Sequence, residues 1–262
     1  MVNSASRVDR LVFLMISFIV PAYNEEHLLG ATLDALHAAG RATGELYELI
    51  VVDDASTDRT AIVARRHGAM LVSVAHRQIA ATRNSGARKA NGELFIFVDA
   101  DTIVNEAVVR SAIEALRGGA AGGGSAVEFD GAVPLYARVF MPVLVRLFRV
   151  ARVAAGCFLF CTRGAFVATG GFDEAFYGAE ELVMSRALKR HGKFVVLRQT
   201  VTTSGRKLRT HSAREVLMVM GRLALRGPRA LKQRQGMELW YADRREDPRQ
   251  DALSVAPRAG RR

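Results

Sequence analysis

Cysteine is nearly absent from this chain: Cys157 and Cys161 are the only two among 262 residues. Two thiols cannot build a disulfide framework, and a four-thiolate zinc site is excluded. Their spacing suits side chains on adjoining pleats or turns of a core element, so a buried reduced pair and a cytoplasmic chain are expected. Long apolar runs are missing too. The longest uncharged stretch, Leu11 to Asn24, is fourteen residues and contains Pro21, short of the ~20 that a spanning helix needs. Arg7 and Arg10 before Leu11–Val20 have the outline of a signal peptide. The run, however, passes into Pro21-Ala22-Tyr23-Asn24-Glu25-Glu26 and has no small-x-small cleavage site. Ile16, Phe18 and Val20, with Ile19, fit a buried first strand better. Residues 1–14 are then expected as a flexible extension.

Acidic side chains are scarce in the second half. Residues 1–130 carry 12 basic and 16 acidic side chains, whereas residues 131–262 carry 25 and 10, a net of +15 within the total of +11. From Arg186 to Arg214 there are nine basic residues and no acidic one. Such a half is suited to anions: phosphates, nucleic acid or a lipid headgroup surface. No aromatic-interleaved basic motif accompanies the charge, so nucleic acid is not expected as a partner.

What the chain does have is material for a core. Half of its residues are apolar and the mean hydropathy is +0.09, which excludes wholesale disorder. The first half alternates strands and helices. Ile16–Val20, Leu49–Val52, Met70–Val74 and Leu94–Val98 read as strands. Between them lie a helix capped by Asn24 with Leu29, Leu33 and Leu36 on one face, one capped by Ser56 or Thr57, and one over Gln78–Ala90. Alternation at this spacing implies an α/β fold with a mostly parallel central sheet flanked by helices. Ligands of such sheets sit beyond the carboxyl ends of the strands, where Tyr23-Asn24-Glu25, Asp53-Asp54, Arg83-Asn84 and Asp99-Ala100-Asp101 fall. Further on, Val108 to Leu116 mark a helix. Gly118 to Gly124 reads as a flexible connection, because no Lys-Ser/Thr follows to make a phosphate loop. Ala126–Phe129 and Phe158–Phe160 read as strands. Pro134–Ala154 reads as an arginine-studded amphipathic helix broken near Pro142. A helix from Glu180-Glu181 to Arg190, a strand Phe194–Leu197, and a helix capped by Ser212 and Glu215 complete the chain, with a disordered tail over 248–262. The expected divisions are 15–130, a second half of the same domain over 131–211, and C-terminal helices over 212–247.

Asp99 and Asp101 lie on the same side of an extended segment. Hard divalent cations want oxygen ligands, and Mg²⁺ or Mn²⁺ commonly bridges carboxylates to a diphosphate. Asp53 can accept from a base or ribose group, and Arg83 can pair with phosphate. Glu180 and Glu181 open a helix, where they can include a general base or simply complement the helix dipole. The stretch Thr203 to His211 reads as a mobile loop that closes over the diphosphate, with Arg206, Lys207 or Arg209 pairing to it. His211 is a candidate to complete a metal shell, against the plainer reading of a structural or solvent-facing histidine.

Ile19 to Glu25, Val52 to Asp58, Ala81-Thr82-Arg83-Asn84, Phe97 to Asp101, and Gly170-Gly171-Phe172-Asp173-Glu174 followed by Glu180-Glu181 together resemble family-2 glycosyltransferases of the GT-A fold, in that family's order. The resemblance implies an inverting, metal-dependent transfer of a sugar from a nucleotide-diphosphate sugar to an acceptor hydroxyl or lipid phosphate. It implies that Pro21, Ala22, Tyr23, Glu25 and Asp53 hold the nucleoside. Arg83, Asp99 and Ala100 would serve the sugar-nucleotide, with Asp101 and Asp99 on Mn²⁺ or Mg²⁺. Glu181 would take the acceptor's proton and Glu180 would orient the acceptor. The family's usual Glu-Asp is here Glu180-Glu181, which shifts the base by ~1.5 Å. A lipid-linked acceptor and peripheral contact with the anionic inner face of the cell membrane would suit the basic half. The rival is a haloacid-dehalogenase-type phosphohydrolase with Asp99 as nucleophile, although no later acids follow that pattern and the three strands before Asp99 are then unexplained.

Overall fold

Along β1 (Ile16–Ala22) every residue is buried, and successive side chains feed two different cores. Ile16, Phe18 and Val20 pack with Leu29, Leu33 and Leu36 of α1 (Leu29–Thr43), while Ile19 joins Ala80 and Ala87 of α3 (Ile79–Lys89). The same split recurs in β2 (Tyr47–Asp54) and β4 (Leu94–Val98), as the two-residue period of a strand requires when helices cover both faces. The computed structural model describes residues 15–131 and 150–210, with isolated positions at 134, 138, 146 and 232. The 1–14 extension, most of the Pro134–Ala154 segment, His211, the helix from Ser212 and the 248–262 tail lie outside the described residues.

After β2 come α2 (Thr60–Arg66), β3 (Met70–Val74) and α3. After β4 come a short β5 (Thr102–Ile103), α4 (Glu106–Arg117) and β6 (Ala120–Phe129). Then follow β7 (Phe158–Thr162), α5 (Arg163–Thr169), α6 (Glu180–His191), β8 (Lys193–Thr203) and a helical turn α7 (Arg206–Thr210). The eight strands form one sheet in the order β3-β2-β1-β4-β7-β6-β8-β5. Strands β3, β2, β1 and β4 run parallel, β7 runs antiparallel between β4 and β6, and β6 and β8 are parallel to each other. The sheet is therefore mixed, and its parallel half is the one legible from the strand–helix alternation.

Three local expectations are corrected. Only Gly118 and Gly119 of the 118–124 stretch form a connection; Gly122, Gly123 and Gly124 lie inside β6, between β7 and β8. A Cβ on Gly122 would meet the Phe160 carbonyl oxygen at 2.7 Å, and one on Gly124 would meet the Ala154 Cβ at 2.5 Å. These residues lack side chains because neighbours occupy the space. Asn24 does not cap α1, which begins at Leu29 with no side-chain cap. Ser56 and Thr57 do not cap α2, where Asp58 Oδ1 instead accepts from the Thr60 N–H and hydroxyl. Both misreadings have one cause: these polar residues are used in bonds between loops.

Cys157 and Cys161 are free and buried, and they face the two different cores.

Candidate active site

The parallel register pairs Ala22 with Asp53, so the loops leaving β1 and β2 emerge side by side. They are stitched together by Asn24, which takes a left-handed φ of 50°. Its N–H donates to Ser56 Oγ at 2.9 Å and its Oδ1 accepts from the Thr57 N–H at 2.8 Å. The Glu25 N–H donates to Thr60 Oγ1 at 2.8 Å. Pro21 and Ala22 are buried in the strand end, and the Arg77 guanidinium lies 3.6 Å over the Tyr23 ring. The neighbours Asp53 and Asp54 have separate tasks. Asp53 Oδ1 accepts from the Ser56 N–H at 3.1 Å and shapes the turn after β2. Asp54 accepts from the Arg77 and Gln78 N–H groups and from Thr82 Oγ1, which anchors the start of α3.

Helix α3 carries the centre of the site. Arg83 is fully buried, and its Nη1 donates to Glu180 Oε1 at 2.8 Å. Its Nη2 donates to Asp99 Oδ1 and to the Gly156 carbonyl, each at 2.8 Å. Burial alone would make this guanidinium easier to deprotonate. The charges of Asp99 and Glu180 outweigh burial and raise its pKa, so it stays a cation. The next residue, Asn84, holds the glycine-rich turn: its Nδ2 donates to the Phe172 carbonyl and its Oδ1 accepts from the Phe172 N–H, both at 2.9 Å. Gln78 caps α3 through the Ala81 N–H and donates to the carbonyls of Glu174 and Phe176. α3 thus connects the strand-end acids to the segment that delivers Glu180 and Glu181. Asn84 stood in the Arg83-Asn84 cluster but was given no role, and Gln78 and Gly156 were missed altogether. These partners are 73 to 98 residues away, and nothing local marks them.

Glu180 is buried against Arg83, while the Glu181 carboxyl rests on Gly156. A Cβ there would lie 3.3 Å from Glu181 Cδ and 3.5 Å from each carboxylate oxygen. Burial, then the adjacent Glu180 charge, pushes the Glu181 carboxyl up to about 8. Ala100 is buried, and its carbonyl accepts from Thr32 Oγ1 of α1 at 2.9 Å, which fixes the peptide between Asp99 and Asp101.

The stretch 203–211 is not a loop over its described part. β8 runs to Thr203, and α7 begins at Arg206. Thr203 pairs with Thr102, and this register lays α7 against the strand-end acids. Arg206 Nη2 bonds Glu25 Oε1 and lies 3.3 Å from Asp101 Oδ2. Arg209 Nη1 donates to Asp130 Oδ1 at 3.0 Å and to its carbonyl at 2.8 Å, so its described anionic partner is a side chain of this protein.

Divalent-metal chemistry can be tested against this donor set. Asp99 and Asp101 each bind a guanidinium, so the carboxylates already face a cation. Among the described residues no three His, Cys, Asp or Glu side chains converge to cage an ion. A hard ion such as Mg²⁺ or Mn²⁺ fits when a diphosphate and water supply the remaining oxygens.

A half-sheet with acids along its carboxyl rim, joined by a buried arginine to a second acid pair, defines the class of nucleotide-diphospho-sugar transferases with the GT-A fold. The family model described as Glycosyl transferase family 2 matches residues 17–154, more than half of the chain, and the protein belongs to that family. That membership sets the phosphohydrolase alternative aside. Over 95 residues it is 37% identical to the undecaprenyl-phosphate 4-deoxy-4-formamido-L-arabinose transferase of Pseudomonas paraeruginosa, covering 33% of this chain and 28% of that one. Over 111 residues it is 33% identical to the validoxylamine A glucosyltransferase of Streptomyces hygroscopicus subsp. limoneus, covering 40% and 24%. The chain thus matches about a quarter of the length of these curated relatives. Among solved structures, the Pyrobaculum calidifontis mannosyltransferase PcManGT, in complex with GDP-Man and Mn²⁺, superposes with a TM-score of 0.63 at 22% identity, over 80% of this chain and 61% of that one. Glucosyl-3-phosphoglycerate synthase from Mycobacterium tuberculosis gives 0.56 at 20% identity, over 81% and 77%. At these identities the likeness is one of fold.

Proposed function

We propose that this glycosyltransferase moves a sugar from a nucleotide-diphosphate sugar to an acceptor hydroxyl by a single inverting displacement that depends on Mn²⁺ or Mg²⁺. The observation that carries the reading is the Arg83 bridge between Asp99 on the donor rim and Glu180 on the acceptor side. It holds a donor-side carboxylate and the Glu180-Glu181 pair in one rigid frame, as an in-line displacement needs. The loops around Tyr23, Glu25 and Asp53 take the nucleoside. Asp99 and Asp101 hold the ion, which when bound offsets the charge that builds on the leaving diphosphate. His211, outside the described residues, is the candidate further ligand.

Glu181 is the general base. Glu180 is committed to Arg83, whereas among the described residues Glu181 has no ion pair and its carboxyl is pushed up to about 8. A base of this kind favours a hydroxyl acceptor, because a phosphate acceptor brings its own negative oxygen. The lipid-phosphate reading draws on the undecaprenyl-phosphate relative. A lipid-linked acceptor and the net +15 over residues 131–262 together support peripheral contact with an anionic membrane at the cytoplasmic face. Each nearby cation is worth ~1 kcal/mol there. Among the described residues no helix is long and apolar enough to cross a membrane.

Glu181→Gln tests the assignment. Turnover should fall by roughly 10²–10⁴, the usual loss of a general base, while donor and Mn²⁺ still bind. Normal turnover in that variant with loss in Glu180→Gln would exchange the two roles. A product that keeps the donor's anomeric configuration would overturn the displacement.

A further inference from the structure

Arg206 sits where two acids from different loops converge. Glu25 lies on the loop after β1, and Asp101 lies in the turn between β4 and β5. The three side chains are only 11%, 4% and 12% exposed, so this ion pairing is largely withdrawn from water. Arg206 is carried by α7, whose position is set by the β5–β8 pairing and by the bond from the Gly205 N–H to Asp130 Oδ1 at 2.7 Å.

We propose that Arg206 is the resident cation of the Asp101 site, so that a divalent ion enters only by displacing it and releasing α7 from the donor rim. The proposal rests on the metal-dependent reading above, in which Asp101 is an ion ligand. A carboxylate oxygen engaged by a guanidinium is a poor ligand for a second cation, because the two charges repel at short range. Displacement also leaves Arg206 at the rim with its planar fork free, and that fork matches a diphosphate in two-point geometry. Ion and nucleotide diphosphate then bind with positive coupling. The ion expels the arginine, the diphosphate receives it, and either ligand alone bears the cost of opening the latch. The arrangement protects the buried carboxylate of Glu25 from standing uncompensated in the resting protein.

The test is Mn²⁺ binding to the full chain, by electron paramagnetic resonance or calorimetry, with and without UDP or GDP. Arg206→Gln should bind Mn²⁺ alone about tenfold more tightly than the wild type, because the competing latch is gone. The tightening that UDP or GDP gives should shrink in the variant. Arg206→Lys, which keeps the charge but not the fork, should fall between the two. Arg198→Gln removes an equal charge from an exposed position on β8 and should leave Mn²⁺ affinity unchanged. Equal or weaker Mn²⁺ binding by Arg206→Gln would overturn the proposal, and so would an equal tightening in Arg198→Gln. If Arg206→Gln does not fold, hydrogen exchange on the wild type decides: Mn²⁺ should speed exchange of the 206–210 amides, and no change would overturn the latch. Mn²⁺ binding to none of these proteins, even with both nucleotides, would instead sink the metal-dependent reading beneath it.

Discussion

Arg83 reaches Asp99 with Nη2 and Glu180 with Nη1, at 2.8 Å in each case. One fully buried cation therefore holds a carboxylate from each side of the site. Breaking a buried pair by removing one partner costs about 3–5 kcal/mol, because the other charge is left uncompensated. Arg83→Met should lower the melting temperature by roughly 10 °C for a chain of this size. Arg83→Lys keeps the charge but cannot span both acids, and its turnover should fall more than its stability does. Thermal denaturation beside steady-state rates separates these effects.

A pH profile tests Glu181. Its carboxyl is pushed up to about 8 in the folded protein by burial and then by the Glu180 charge. The base works only when ionised, so kcat/KM for the acceptor should rise through about pH 8 and level off above it. Stability runs the other way. Between the unfolded value near 4.5 and the folded value near 8 the native state binds more protons, so stability falls as pH rises across that window. Glu181→Gln should flatten this fall, and its melting temperature should gain on the wild type from pH 5 to pH 9.

Gly156→Ala probes the seat of the same carboxyl. The added methyl would press on Glu181 at 3.3 Å, tight enough to shift it by tenths of an ångström. Misplacing a reacting group in this way lowers kcat by about tenfold to a hundredfold. In the proposed reading Glu181 faces the acceptor, so donor KM should change less than kcat.

The glycines of β6 give a stability test. Gly124→Ala would place a methyl 2.5 Å from the Ala154 Cβ. Overpacking of this kind costs about 1–3 kcal/mol, and denaturant titration should show a lower midpoint. A flexible connection would have absorbed the methyl without loss.

The parts legible in the sequence were those written in local periodicity. The alternation in β1, β2 and β4 marked the parallel half of the sheet, and Asp53 and Asp99 were legible as acids at its carboxyl ends. Gly122 to Gly124 misled because the residue type does not say whether a glycine lacks a side chain to bend or to admit a neighbour. Asn24, Ser56 and Thr57 misled because a capping residue and a loop-bridging residue are the same type in the same place. The antiparallel insertion of β7 between β4 and β6 is a long-range pairing with no local signature. Arg206 was legible as a cation near the site, while its partners Glu25 and Asp101, 181 and 105 residues away, were visible only in the fold.

In the proposed reading, donor binding depends on a divalent ion held at Asp99 and Asp101. The direct measurement is calorimetry of UDP-, GDP- and dTDP-sugars with the wild type and Asp101→Asn, in Mn²⁺ and in EDTA. At least one donor should bind the wild type about tenfold or more tightly in Mn²⁺, a difference of ~1.4 kcal/mol, and Asp101→Asn should lose that gain. Equal affinity in Mn²⁺ and EDTA for every donor that binds would contradict the account.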